Sequence, residues 1–219
     1  ARQLMTHQVV KEALGDKYIR LKLINTLKIT EDLEKSETKI ACEVQRGDTA
    51  FLIEGSGKGP VDAFYSSLSD HLSDEYCTLS DFYFSEFGIQ ADLLKKHRRS
   101  GSDAHVESLL VIRSYEGDDF IFREQAHSVI NASVLTALSA IEYFINLEEA
   151  VVATHDALYD AKKRKRSDLA NTYLMRLIQL VDKSSYQETL RKRGRICHSA
   201  CEKTERMDSR CCFGICRIF

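Results

Sequence analysis

The chain has 219 residues, 43% of them hydrophobic and 29% charged, with a formal net charge of −2. That length suits one large domain or a domain with an extension, and the apolar share is that of a globular protein. A run of about 18 apolar residues is absent, which argues against a membrane span.

The start, ARQLMTHQVV, lacks a long apolar core and reads neither as a secretory signal nor as an initiator end, so a processed or truncated chain is expected. Residues 3–14 suit a short helix ended by Gly15, with 1–17 as a leading linker. Residues 18–29 (YIRLKLINTLKI) alternate apolar and charged positions, the period of a half-buried strand. KIACEV (39–44) and TAFLIE (49–54), joined by Gln-Arg-Gly-Asp, read as a hairpin. Pro60 then suits a first helical position, and the helix is expected to run to Leu72.

The order then repeats. TLSDFYFSEF (78–87) is read as a strand and KKHRRSGSD (95–103) as a polar loop. AHVESLLVIRS (104–114) and DFIFRE (119–124) are strands around Gly117. Residues 129–147 have the clearest helical period, carried by Ile130, Val134, Leu138, Ile141 and Ile145. Beyond 150 the chain is helical in pattern, with Leu169, Tyr173, Leu177 and Leu180 on one face. Its last thirty residues are basic and Cys-rich.

GDTAFLIEGSGKGPVDAFYSSL (47–68) and GDDFIFREQAHSVINASVLTAL (117–138) are two copies of one unit. Gly47-Asp48 aligns with Gly117-Asp118 and Glu54 with Glu124. After a one-residue gap, Ala63 aligns with Ala132. A unit repeated at a spacing of about 70 residues folds as a pseudo-symmetric pair. The expected fold is α+β: two βββα units over 18–150, packed as a sheet-and-helix layer, then a helical basic extension over 151–219.

Charge marks the same boundary. Residues 1–150 hold 16 Lys+Arg against 25 Asp+Glu, and residues 151–219 hold 15 against 8. Cys42 and Cys77 stand alone. Cys197, Cys201, Cys211, Cys212 and Cys216 crowd the end in a spacing that matches no standard zinc finger, although four thiolates, or three with His198, could hold zinc. An odd cysteine count without a visible signal fits a reducing, cytoplasmic setting, and no metal is expected. The basic runs 162–166 and 191–195 lack interleaved aromatics. A solvated face is expected there, and nucleic-acid binding is not. The histidines are scattered, and no catalytic constellation emerges.

GSGKGPVDAFYSSL resembles the Gly-x-Gly-Pro-Val-Asp-Ala signature of the C-terminal regulatory domain of α-isopropylmalate synthase and citramalate synthase. SGSDAHVESLLVIR and SVINASVLTALSAIEYFIN resemble that family's later strand and second helix, so the resemblance spans roughly 18–150. It implies a homodimerising allosteric domain that binds leucine or isoleucine for feedback inhibition. It also implies that acyl transfer belongs to a separate metal-dependent (β/α)₈ barrel upstream, which this chain is too short to contain. The chain alone is therefore expected to have no enzymatic activity and to need no cofactor. Asn131 stands where the family often has Glu or Thr. His127-Ser128 replaces the Gly57-Lys58-Gly59 loop of the first unit. Leucine and isoleucine both stay open as effectors.

The candidate effector site lies at the two helix starts. Gly57 and Gly59 would let the backbone approach a ligand, and Pro60 opens a helix whose free N–H groups favour a carboxylate. Val61, Ala63, Ile130 and Ala132, with Ser133, would line a pocket for a branched side chain. Asp62 and Asn131 would cap N–H groups or meet the ligand's amino group. Two alternatives remain: a ligand-free structural dimerisation module, and a nucleic-acid-associated module using the basic tail.

Overall fold

The computed structural model describes residues 2–91, 106–115 and 117–181. Helix α1 (Arg2–Leu14) precedes β1 (Leu21–Asp32), β2 (Glu37–Arg46), β3 (Thr49–Gly57) and α2 (Pro60–Ser73). The second unit is β4 (Phe82–Ala91), β5 (Val106–Ser114), β6 (Asp119–Ala126) and α3 (Val129–Lys163), and α4 (Ser167–Val181) follows. The strands form two separate three-stranded antiparallel sheets, ordered β1-β2-β3 and β4-β5-β6. The expected α+β architecture of two βββα units is what the chain adopts.

Helix α2 lies on β2 and β3, and α3 lies on β5 and β6. Each helix also reaches the first strand of the other unit. Glu142 of α3 accepts from the Leu21 N–H of β1 at 2.9 Å, and the Tyr65 ring of α2 meets Phe84 of β4 at 4.5 Å. Both first strands are bulged, β1 between Ile24 and Lys28 and β4 between Phe84 and Glu86. One apolar cluster joins both units, with Ile53, Phe64 and Leu68 from the first and Leu110, Ile112 and Phe144 from the second. Phe82, Phe120 and Phe122 surround Phe144, with ring centroids 3.9–5.8 Å from it.

The register corrects one alignment. Across the sheets, Val44 pairs with Phe51 and Ile112 with Phe120, so Phe51 corresponds to Phe120 and Gly57 to Ala126. The strand-to-helix stretch therefore needs no gap, and the difference in length is one additional residue in the second unit's β5–β6 turn. Glu54, opposite Ala41, is exposed. Glu124, opposite Ser108, faces α3 and accepts from the Ser139 hydroxyl at 2.6 Å. A shift of one residue reverses the face of every strand side chain, so the two glutamates are not equivalent.

Residues 78–81, read as strand, belong to a 3-10 turn over Cys77–Asp81. The reason lies far away in sequence. Buried Glu148 accepts from the Thr78 N–H at 2.9 Å and the Thr78 hydroxyl at 2.6 Å, which pulls this stretch onto α3. Helix α3 also runs past 147 to Lys163, so residue 150 lies mid-helix. Its most apolar 18-residue window has mean hydropathy 1.3, enough to cross a membrane by length and composition. That window is 67% buried within the protein, as a core helix requires. The helix stops where Lys165 takes φ +58° and the Arg166 N–H bonds back to the Ala161 carbonyl. Helix α4 then folds back on α3 and α1 and buries Leu177 and Leu180 in the main core.

Candidate functional site

At the first helix start the glycines serve packing. A Cβ on Gly57 would lie 2.5 Å from the Ala63 backbone nitrogen, and one on Gly55 would lie 1.7 Å from Ser67 Oγ. These absences let β3 close against the first turns of α2. Gly59 is extended (φ −167°), has open space around it, and its carbonyl accepts the first helical hydrogen bond from Ala63 at 2.9 Å. Pro60 is the first helical residue, as expected. Asp62 turns back, and its Oδ2 accepts from the Lys58 N–H at 2.9 Å. That bond fastens the loop to the helix and leaves the other carboxylate oxygen for a further donor. Val61 packs at the edge of the core, and Ala63 is fully buried in it.

The second start has the same backbone plan with different chemistry. Ser128 is extended, and its carbonyl accepts from the Ala132 N–H at 2.9 Å. Neither start has a side-chain hydrogen bond capping it. The leading N–H groups of both helices are therefore left to solvent or a ligand. The Ser133 hydroxyl bonds back to the Val129 carbonyl at 2.7 Å. Val129 and Ile130 are exposed at 45% and 41%, and Asn131 is exposed beside them.

Ala132 is fully buried, but in a small cluster of its own with Val106, Ala126 and Leu135. Ala63 belongs to the main core. Within one chain, then, the two helix starts do not share a buried apolar cluster. Leu135, Thr136 and Ser139 on the next turns of α3 had no place in the sequence reading. Thr136 follows Ala132 by one helical turn, the signal that could have found it.

A surface cleft of about 660 Å³ lies elsewhere, between the segment before β1 (Asp16 to Arg20), the β2–β3 turn and Glu75–Tyr76. Its walls are mixed in charge and partly satisfied. Arg46 meets Glu75 at 2.6 Å, which holds the guanidinium above its ordinary value. Burial, then the nearby Glu142 charge, pushes the Tyr18 hydroxyl up.

Both isolated cysteines are buried, and the Cys77 thiol donates to Glu148 at 3.6 Å. Cys42 is buried, and burial pushes its thiol up to about 11. The C-terminal cysteines, His198 and residues 191–195 lie outside the described residues, as does the loop at 95–103. Among the described residues, no group of three or more His, Cys, Asp or Glu could hold a metal ion. The basic run 162–166 is exposed, and two of its arginines are ion-paired, Arg164 with Asp160 at 2.7 Å and Arg166 with Asp168 at 2.9 Å.

The LeuA allosteric (dimerisation) domain family matches residues 2–145. No curated protein matches the chain. The matched span covers both sheets, α2 and the first half of α3 with both helix starts, and it also takes in α1, the short helix that the sequence reading placed ahead of the regulatory domain.

Proposed function

Since the chain belongs to the LeuA allosteric (dimerisation) domain family, we propose that it is an effector-sensing module that holds leucine or isoleucine at its helix starts. The matched family makes it a dimerising regulatory domain of LeuA-type synthases. The finer reading adds feedback inhibition of a cytoplasmic acyl-transferring barrel that lies outside this chain.

One observation carries the ligand reading. Two equivalent helix starts have extended entry residues and no side-chain caps, each with an aliphatic residue, Val61 or Ile130, at the second helical position. Such N–H groups hold a carboxylate. Four apolar carbons leaving water are worth roughly 3 kcal/mol at about 0.8 per methylene. Ordering costs offset much of that, so affinity on the order of micromolar is expected. Because Ala63 and Ala132 sit in different clusters of one chain, a pocket using both starts would be completed by a second copy. An effector with unequal affinity for two arrangements of that dimer would shift their populations and so change the attached activity.

The internal hydrogen bonds favour a second reading. Ser133 is bonded to Val129 and Gly57 is needed for packing, roles that a ligand-free dimerisation module would also require. Calorimetry with leucine and isoleucine separates the two. Ala132 is fully buried, so enlarging it would disturb the fold as well as the pocket. Ile130→Asp is the cleaner variant because Ile130 is exposed. We expect binding in the native chain and at least about a tenfold loss in the variant, about 1.4 kcal/mol. Absence of heat with either amino acid at several temperatures would leave the ligand-free module standing.

A further inference from the structure

We propose that a second copy of this chain seats on the helix-side strip of β4, centred on Phe87 and Ile89. This rests on the dimerisation reading and assigns it a surface. Phe87 pairs with fully buried Leu110 and Ile89 with fully buried Ser108, so both side chains lie on the sheet face that α3 covers farther along. Yet they are 45% and 44% exposed.

The first unit shows what should cover them. Ile29 pairs with Ile40 where Ile89 pairs with Ser108, and Leu27 occupies the bulge opposite the position of Phe87. Leu27 and Ile29 are partly buried and pack on the main core. Up to Phe84 the two first strands are treated alike: Leu21 and Phe82 are buried, and Leu23 and Phe84 pack on the core. The pseudo-symmetry breaks after that point, and it leaves the larger apolar pair in water.

Charge argues the same way. β4 is an edge strand with one charged residue in ten, Glu86, whereas β1 has four in twelve, Lys22, Lys28, Glu31 and Asp32. Apolar edges without charge are normally covered. A second copy is the occupant because the family is a dimerising one. Exposed Val129 and Ile130 open α3, the helix that packs on β5 beside the strip. Ser108, opposite Ile89, lies two residues from Val106, which packs on Ala132 at the start of α3. Together these residues supply the apolar centre of a standard interface, which covers about 800 Å² per partner. Phe87 is the expected anchor.

The test uses the full chain in sedimentation equilibrium. The native chain is expected to be dimeric at about ten micromolar, and the double variant Phe87→Glu/Ile89→Lys monomeric, its dissociation constant raised at least about a hundredfold. A second measurement does not depend on disruption. A thiol at Ile89→Cys, read by peptide mapping, should react with maleimide more slowly as concentration rises through the dimer range. Leu52→Cys, on the outer face of the first sheet, should react at a constant rate. A native dimer that persists in the folded double variant, with position 89 unprotected, overturns this surface while leaving dimerisation intact. A native chain that stays monomeric throughout overturns the dimerisation reading itself.

Discussion

The two βββα units share a backbone plan and differ in how each is fastened, and α3 does most of the fastening. Asn146, fully buried, accepts from the Ile19 N–H at 2.8 Å and donates to the Ile19 carbonyl at 2.8 Å, which holds the chain just before β1. Two residues farther along the same helix, Glu148 holds the turn just before β4 through Thr78. One helix thus sets the entry of both sheets, with the Asn146 amide and the Glu142 carboxylate for the first unit and the Glu148 carboxylate for the second. The two units are similar in plan, and this asymmetric fastening by α3 joins them into a single body.

The sharpest break in that comparison is expected at Asn146. Asn146→Ala leaves an N–H and a carbonyl of Ile19 without their partner, and an orphaned buried polar group costs about 1–3 kcal/mol, so a total of about 3 kcal/mol is expected. Hydrogen exchange should show β1 loosening before β4. Glu148→Ala should reverse that order, because it orphans the Thr78 N–H and hydroxyl. If both variants loosen both sheets equally, the ties are not local and the picture of two separately fastened units is wrong.

A smaller effect separates the two strand–helix junctions. Gly57→Ala forces a Cβ to within 2.5 Å of the Ala63 nitrogen. Backbone cannot yield cheaply there, and overpacking of this kind costs about 1–3 kcal/mol. The equivalent residue in the second unit is Ala126, which already holds a Cβ between sheet and helix. Ala126→Gly should cost only about 0.5–1 kcal/mol, the ordinary penalty of glycine in a strand. Chemical denaturation of both variants measures the difference. Equal losses would mean that the junctions are built alike after all.

These same residues show what was legible in the sequence. Strand period found β1, β2, β3, β5 and β6 within three residues at each end, because alternation depends only on neighbours. Period also found both helix starts, since Pro60 and the 129–147 face are local signals. What escaped was set at a distance. The turn at 77–81 depends on Glu148, 70 residues away. The reach of α3 to Lys163 depends on α4 folding back to cover it. Gly57 looked like a ligand-facing glycine because nothing in GSGKGP reveals that the Ala63 nitrogen lies against it. The mismatch of Glu54 with Glu124 came from placing a one-residue gap without knowing the register.

The smallest expected effect is a dependence on pH, and it sits on the tie between α3 and β1. Glu142 is held above its ordinary 4.5, chiefly by burial. Its hydrogen bonds from the Leu21 N–H and Tyr18 hydroxyl, and the charges of Arg20 and Lys11, oppose that rise. The folded chain therefore binds this proton more tightly than the unfolded chain. The contribution is complete below pH 4.5 and is lost as pH rises through the folded value. His7, stacked on Tyr143 at 5.9 Å, is displaced the other way, below 6.5, by burial and then by the Lys11 charge. Its contribution is present above pH 6.5 and is lost as pH falls through the folded value. Glu142→Gln should thus gain thermal stability relative to the native chain as pH rises above 4.5. His7→Phe should gain as pH falls below 6.5. Melting curves over that range check both signs. Curves that run parallel to the native one would show that neither group titrates differently on folding, and that the tie from α3 to the first unit is insensitive to protons.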